Sequence, residues 1–302
     1  MPAAPRRVPA TLLSDVRATL GEGPLWDAAR SRVLWVDIKE GRLNATRLDG
    51  STETILRVDP PLAAVALRAP SGLVLVGGET ISACLDDGTD LRTLASVPMR
   101  PDERWNDAKV DPAGRLLAGT LTETYPDGVH KVFPPGASRL LRLDPDGSVT
   151  PVLDVTLSNG LGWSQDGRTF FYVDTTTGGL DAFDYAPDSG GVSGRRTLAA
   201  IAPQDGLPDG LAVDVEGGIW LALWGGSCVR RYLPDGSFDA VIELPVSLVT
   251  SCAFVGPDLD RLFITSARDE LTPEQRAAQP HAGSVFIADP GVRGVEVARF
   301  AG

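Results

Sequence analysis

The sequence predicts an all-β fold, specifically a six-bladed β-propeller. Six similar apolar runs are each followed by a further strand-like segment and, in most cases, by an Asp-Gly turn signal. The mean spacing of the runs is about 46 residues, which falls within the range of propeller blades. Radial repetition of this kind hides strand edges, which favours a propeller. The runs are centred on Trp35, Val74, Leu117, Phe171, Trp220 and Phe263.

Three further segments complete this prediction. The early segment at 9–16, PATLLSDV, is expected to pair with the last blade and close the ring, and SVFIADP and VEVARF are expected to end that blade. A short helix is predicted to begin after Thr272, because Thr272, Pro273 and Gln275 form a capping-box pattern. Two stacked β-sandwiches are the alternative architecture, but they would not explain the even spacing.

Composition limits the classes of function. The formal net charge is -12 and the pI is near 4.7, which argues against nucleic acid and anionic membranes as partners. The sequence has neither an apolar run of about 18 residues nor a signal-peptide core, so a cytoplasmic protein is expected. Three widely spaced cysteines without a CxxC pair are interpreted as core residues. We expect residues 1–302 to form a single propeller domain and a monomer, since a closed propeller lacks free strand edges.

Polar residues recur in phase before the apolar runs. EGPLWD begins at Glu22, NDAKVD at Asn106, NGLGWS at Asn159 and DGLAVD at Asp209. The other two units have alanine and serine at the same position. Each of these positions begins the innermost strand of a predicted blade, so we expect the side chains to converge at one end of the central channel.

The shared property of these four side chains is an oxygen donor. Two carboxylates and two amides would suit a hard divalent cation. Taken singly, Asn-Gly and Asp-Gly pairs are ordinary turn signals, and a glutamate is an ordinary cap. Four such residues in phase favour a metal site over four unrelated turns.

Several long motifs resemble the gluconolactonase/regucalcin family, which is also called senescence marker protein. The resemblance extends from about residue 20 to about residue 282. The motifs that carry it are LGEGPLWD, RWNDAKVDPAGRLLAGT, SNGLGWSQDGRTFFYVDT and PDGLAVDVEGGIWLA, in that order.

The resemblance implies a metal-dependent hydrolase that opens the lactone ring of a sugar acid. Glu22, Asn159 and Asp209 match the family's ligands for one divalent metal, which could be Ca²⁺, Mg²⁺, Mn²⁺ or Zn²⁺. Asp209 would also act as general base toward a metal-bound water, although residue chemistry alone does not separate it from Glu22. Arg104 and Asn106 match residues that bind the substrate.

One position departs from the family pattern. Members often carry paired acids after the AGT motif, whereas here Glu123 is followed by Thr124. Glu123 is therefore the candidate substrate contact that remains. The segment Thr122–Ser138 is long for a loop between strands, and we expect part of it to overhang the channel and shape the pocket.

Alternative functions remain at this point. A related metal-dependent esterase or organophosphate hydrolase would use the same residues, and a non-catalytic calcium-binding propeller would use only the metal site. A serine hydrolase and an HExxH zinc enzyme are disfavoured, because the sequence lacks GxSxG and its two histidines, His130 and His281, are far apart.

Overall fold

Six small antiparallel sheets are arranged in a ring, which confirms the six-bladed β-propeller. The structure is a computed structural model that describes residues 4–302; the first three residues of the expected domain lie outside this range. Contacts between innermost strands join each blade to the next in sequence order and join the last blade to the first. Blades 3 and 6 therefore lie on opposite sides of the channel.

The strands follow one another from the inside of each blade to its outside. Two strands precede the first complete blade, β1 (Arg6–Arg7) and β2 (Ala10–Ser14). Blades 1 to 3 consist of β3 (Gly21–Asp27), β4 (Arg32–Asp37), β5 (Arg42–Thr46), β6 (Thr52–Arg57); β7 (Leu62–Leu67), β8 (Leu73–Gly77), β9 (Thr80–Cys84), β10 (Arg92–Ser96); and β11 (Glu103–Val110), β12 (Leu116–Thr122), β13 (Ser138–Leu143), β14 (Val149–Val155).

The second half of the ring repeats this order. Blades 4 to 6 consist of β15 (Ser158–Trp163), β16 (Thr169–Asp174), β17 (Gly179–Ala186), β18 (Gly191–Ala200); β19 (Leu207–Val213), β20 (Ile219–Trp224), β21 (Cys228–Tyr232), β22 (Phe238–Glu243); and β23 (Val249–Val255), β24 (Arg261–Ser266), β25 (Val285–Ala288).

The N-terminal segment closes the ring, as predicted. Strand β2 pairs antiparallel with β25 and becomes the outermost strand of blade 6. Blade 6 thus combines strands from both ends of the described chain. Strand β1, which was not predicted, adds in parallel to the outer edge of blade 5 through β22.

The prediction that VEVARF ends the sixth blade is wrong. Residues 295–300 form no strand of that blade and instead cross the far end of the channel. The backbone N–H of Val295 donates to Val213 O in blade 5, and that of Phe300 donates to Leu67 O in blade 2. Strand β2 takes the place beside β25 that this segment would need in order to end blade 6.

Buried aromatic residues fill the space between neighbouring blades. Trp35, Trp105 and Trp220 are fully inaccessible to solvent, which identifies these tryptophans as core residues. The three cysteines are also buried and unpaired, as expected for core positions. Burial raises the pKa of the Cys252 thiol to about 12, so this thiol is not a reactive thiolate.

A second in-phase acidic position stabilises the turns at the far end of the blades. Five residues after each of Glu22, Asn106 and Asp209, an aspartate forms a buried ion pair with an arginine of its own blade. The carboxylate of Asp214 also accepts the Gly218 backbone N–H at 2.8 Å. These acids are therefore structural and are separate from the channel residues. The pairs are Asp27–Arg32, Asp111–Arg115 and Asp214–Arg231.

The predicted helix, α1 (Pro273–Ala278), lies between β24 and β25 of blade 6. Thr272 accepts the Gln275 backbone N–H at 3.2 Å, and the Gln275 side chain accepts the Thr272 N–H at 2.9 Å. This arrangement confirms the capping box. Within residues 4–302, no helix combines the length and the apolar character needed to cross a membrane.

Candidate functional site

Each innermost strand is irregular close to the position singled out from the sequence. In all six blades the register between the innermost strand and its neighbour shifts there. A bulge of this kind bends a strand and redirects a side chain. These bulges explain why the side chains near the starts of the six innermost strands point into the channel at a common level. The shifts occur at Glu22/Leu25, Leu62/Ala64, Trp105/Ala108, Ser158/Leu161, Pro208/Leu211 and Val249/Ser251.

The Asn-Gly and Asp-Gly pairs of this site are not hairpin turns. Gly160 and Gly210 lie within β15 and β19. A Cβ at Gly160 would be 2.6 Å from the carbonyl oxygen of Asp209, and one at Gly210 would be 2.1 Å from Ser251 Oγ. Glycine is required because the innermost strands of adjacent blades approach each other too closely for a side chain.

Two carboxylates are buried together at this end of the channel. Glu22 and Asp209 come from blades 1 and 5 and are each less than a tenth exposed. Burial raises the pKa of the Glu22 carboxyl to about 8, with a further contribution from nearby Asp107. Burial, followed by repulsion from Glu22 and Asp107, raises the pKa of Asp209 well above its ordinary value. A cation bound here would replace these protons and offset the repulsion between the two acids.

Two amides and an arginine lie beside these acids in a connected network. Arg104 Nη1 donates to Asn106 Oδ1 at 2.9 Å. Asn106 Nδ2 in turn donates to Asn159 Oδ1 at 3.0 Å and to the Ser158 carbonyl at 2.8 Å. The network orients both amides, so that Asn159 presents its oxygen rather than its NH₂ group on the side of Asn106.

Arg104 lies among acids that come from four blades. Its positive charge interacts with Glu123, Glu22, Asp269 and Asp209, in decreasing order of strength. Burial nevertheless lowers the pKa of Arg104 below its ordinary value. The structure thus brings the predicted residues Arg104, Glu22 and Asp209 into one electrostatic group.

Glu123 lies at the edge of this group and is already engaged. Its carboxylate accepts the Tyr125 hydroxyl and pairs with Lys131 at 3.3 Å. Lys131 belongs to the segment Thr122–Ser138 and also pairs with Glu270 of blade 6. Because blades 3 and 6 are opposite, this contact carries the segment across the mouth of the channel.

Below the site the channel contains a cavity of about 500 Å³ that is lined by all six innermost strands. Asp107 and Lys109 face it from β11, and the floor is formed by Val295–Arg299. Lys109 Nζ donates to the Leu211 carbonyl at 2.9 Å, and burial lowers its pKa. The sequence shows these charges in NDAKVD, but only the strand's position reveals that they face the channel.

The donor set fits a divalent cation. Within residues 4–302, no three His, Cys, Asp or Glu side chains form a metal-binding group by themselves, so an amide is needed to complete a site. The amide oxygen of Asn159, which accepts from Asn106 Nδ2, would be such a third donor. Asp209 Oδ1 is buried and has no hydrogen-bond partner in the described part of the chain. A buried carboxylate oxygen without a partner is unfavourable unless a cation or a proton compensates it.

Fold and site together define a class of protein: a six-bladed propeller whose channel holds acids and amides from separate blades. Residues 20–268 match the family described as the SMP-30/Gluconolactonase/LRE-like region. The chain belongs to this family, whose gluconolactonase members support a lactonase-type function.

Similar proteins cover almost the whole chain. Regucalcin from Xenopus laevis is 38% identical over 290 residues, which are 94% of this chain and 95% of that protein. A structure of a calcium-binding regucalcin from Agrobacterium tumefaciens is 28% identical, with a TM-score of 0.89 over 98% of this chain and 99% of that chain. A gluconolactonase from Xanthomonas campestris is 25% identical, with a TM-score of 0.73 over 93% and 89% of the two chains.

Proposed function

We propose that this protein is a metal-dependent lactonase that opens the lactone ring of a sugar acid. The observation that carries the proposal is that Glu22 and Asp209 are both buried and that Asp209 Oδ1 has no hydrogen-bond partner in residues 4–302. Membership of the family and the similarity to a gluconolactonase support the same reaction class.

Glu22, Asn159 and Asp209 would hold one divalent cation. All three donors are oxygen atoms, which suit Ca²⁺, Mg²⁺ or Mn²⁺ and are also compatible with Zn²⁺. The similarity to a calcium-binding regucalcin supports calcium as the first ion to test. When bound, such an ion supplies Lewis-acid polarisation of a carbonyl and a lower pKa of water.

Asp209 is the proposed general base. Asp209 Oδ1 is buried and has no hydrogen-bond partner among the described residues. Asp209 would take the proton of the attacking water and return it to the ring oxygen that leaves as the alcohol.

Arg104, Asn106 and Glu123 would hold the substrate. The guanidinium of Arg104 has donors beyond the one bound to Asn106, and a planar fork of donors suits the hydroxyls of a sugar ring. Glu123 is a hydrogen-bond acceptor on the edge nearest to Lys131. A hydroxyl-rich small molecule is therefore the substrate class that best matches these groups.

The segment Thr122–Ser138 is proposed to control which lactones enter. Deleting Tyr125–Pro135 removes Lys131 and its contact with Glu270, so the mouth of the channel is wider. We expect kcat/KM to change by about tenfold or more, and to change differently for small and bulky lactones. Initial rates over a series of lactone sizes measure this effect.

The control for the deletion is Lys131→Met, which removes the charge that contacts Glu270 but keeps the loop. Equal kcat/KM values for the deletion variant and the intact protein with every lactone would show that the segment has no part in substrate selection.

A pH-stat assay of five- and six-membered aldonolactones, with and without a chelator, tests the proposed function. We expect hydrolysis that the chelator abolishes and that added divalent cation restores. Aryl esters and fluorophosphates serve as competing substrates, and faster hydrolysis of either would favour a related esterase or organophosphate hydrolase. Calcium binding without hydrolysis of any of these compounds would identify a binding protein.

A further inference from the structure

We infer that Thr175 positions the amide of Asn159 so that its oxygen, and not its NH₂ group, is offered to a cation in the channel. Thr175 is not one of the site residues that the sequence predicted. The inference rests on the proposed metal site, and it assigns Thr175 a positioning role rather than contact with the metal or substrate.

The polarity of two hydrogen bonds fixes the orientation of the amide. Thr175 Oγ1 donates to the Pro208 carbonyl at 2.8 Å. A hydroxyl has only one hydrogen, so the same oxygen is left as an acceptor for its other partner. That partner is Asn159 Nδ2, at 2.8 Å. The amide oxygen of Asn159 could not take the place of Nδ2, because the Thr175 hydroxyl has no second hydrogen to donate to it.

The consequence for Asn159 is a fixed direction of its oxygen. With Nδ2 held by Thr175, Oδ1 lies on the other side of the amide, where it accepts from Asn106 Nδ2 at 3.0 Å. An amide oxygen has two lone pairs, so one is left for a cation. A flipped amide would direct an N–H group, rather than a lone pair, at the cation and would be repelled.

The same hydroxyl connects two of the proposed ligands. Pro208 directly precedes Asp209, and its carbonyl is the acceptor of the Thr175 hydroxyl. Thr175 and Asn159 both belong to blade 4, whereas Asp209 belongs to blade 5. The hydroxyl therefore sets the position of the Asn159 amide relative to the start of β19.

Comparison of blade 4 with blade 1 shows that the turn containing Thr175 does not need a hydroxyl in order to fold. In blade 4, Asp174 accepts the backbone N–H groups of Thr156 and Leu157, both at 2.9 Å, which anchors the start of β15. In blade 1, Asp37 accepts two backbone N–H groups ahead of β3 in the same way. The next residue there is the buried Ile38, so this turn forms without a hydroxyl.

The test is a calorimetric Ca²⁺ titration of the metal-free full-length protein and of Thr175→Val, Thr175→Ser and Thr176→Val. Thr176 is an exposed threonine of the same turn that hydrogen-bonds only to Asp174 among the described residues, so it is the matched control. We expect valine at 175 to weaken Ca²⁺ binding by about 10–100-fold, the range seen when an outer-shell partner is lost. Serine at 175 keeps the hydroxyl and should restore binding to within about threefold of the unmodified protein.

A double substitution makes the test independent of any loss of stability. In an Asn159→Asp background, the side chain offers oxygen on both sides and cannot be misoriented. Thr175→Val should therefore weaken Ca²⁺ binding much less in that background than in the unmodified protein. Thermal unfolding of each metal-free variant shows whether the native fold is retained, and Thr175→Ala replaces the valine variant if valine prevents folding.

Two results are distinguishable. If the unmodified protein and the Thr176→Val control bind Ca²⁺ but Thr175→Val binds equally tightly, the role of Thr175 is overturned while the metal site stands. If the unmodified protein binds neither Ca²⁺ nor Mn²⁺, the proposed function itself fails.

Discussion

Replacing Asp209 with alanine is expected to abolish lactone hydrolysis while leaving the fold intact. The substitution removes both a proposed metal ligand and the proposed base. Loss of a general base alone typically lowers the rate by about 10²–10⁴-fold, and loss of a ligand adds to this effect. Removing a buried carboxylate with a raised pKa also relieves repulsion from Glu22, so stability in the absence of metal should be equal or higher. The measurement is kcat/KM by pH-stat, with circular dichroism to confirm the fold.

The matched control is Asp235→Asn in the same blade. Asp235 is exposed in a turn, where its carboxylate accepts the Ser237 backbone N–H at 2.9 Å, and an asparagine oxygen can accept the same bond. This variant should retain full activity. An Asp209→Ala protein that hydrolyses lactones at the rate of the unmodified protein would exclude Asp209 from catalysis.

Without divalent cations, the free energy of unfolding should fall as the pH is raised from about 4.5 to about 8. Over this interval the native state retains the proton on Glu22, whose pKa burial raises to about 8, whereas the unfolded chain has lost it. The Glu22 contribution is therefore fully present below the unfolded pKa and is lost as the pH rises through the native pKa. A tenfold difference in proton affinity between the two states corresponds to about 1.4 kcal/mol, so the effect amounts to a few kcal/mol.

Glu22→Gln should flatten this pH dependence, because the glutamine cannot ionise. In the presence of a chelator, the variant should be more stable than the unmodified protein at about pH 8.5 and similar to it at about pH 5. Urea unfolding across this range gives the free energies directly. Glu274→Gln, at an exposed helix position, is the control and should leave the slope unchanged. A steep slope that persists in Glu22→Gln would mean that other groups cause it.

Much of this architecture follows from patterns that are local in the sequence. The spacing of the apolar runs gives the number of blades, and the N-terminal strand that completes blade 6 and the Thr272 capping box were both predicted. The in-phase position of Glu22, Asn106, Asn159 and Asp209 indicated that they meet, because equivalent positions of a closed ring lie at one level. The structure places Glu22 and Asp209 together and links Asn106 to Asn159 directly.

Other features depend on tertiary structure. VEVARF has the alternation of a strand, yet it crosses the far end of the channel because β2 occupies the edge it would need. Thr175 is one of three consecutive threonines, and nothing local distinguishes it from Thr176. Only the approach of blade 5 to blade 4 shows that its hydroxyl lies between Asn159 and Pro208.

The contact between Lys131 and Glu270 is a further example. These two residues are 139 positions apart, and each lies in an irregular segment that follows a strand. The length of Thr122–Ser138 indicated a special segment, but its neighbour across the channel could be found only from the order of the blades in the ring.

Anomalous diffraction from crystals soaked in Mn²⁺ would show whether Glu22, Asn159 and Asp209 bind one cation together. We expect one strong peak in the channel, within bonding distance of oxygens from Glu22, Asn159 and Asp209. Absence of a peak at this place at saturating Mn²⁺, with the three side chains pointing away from one another, would rule out a shared metal site.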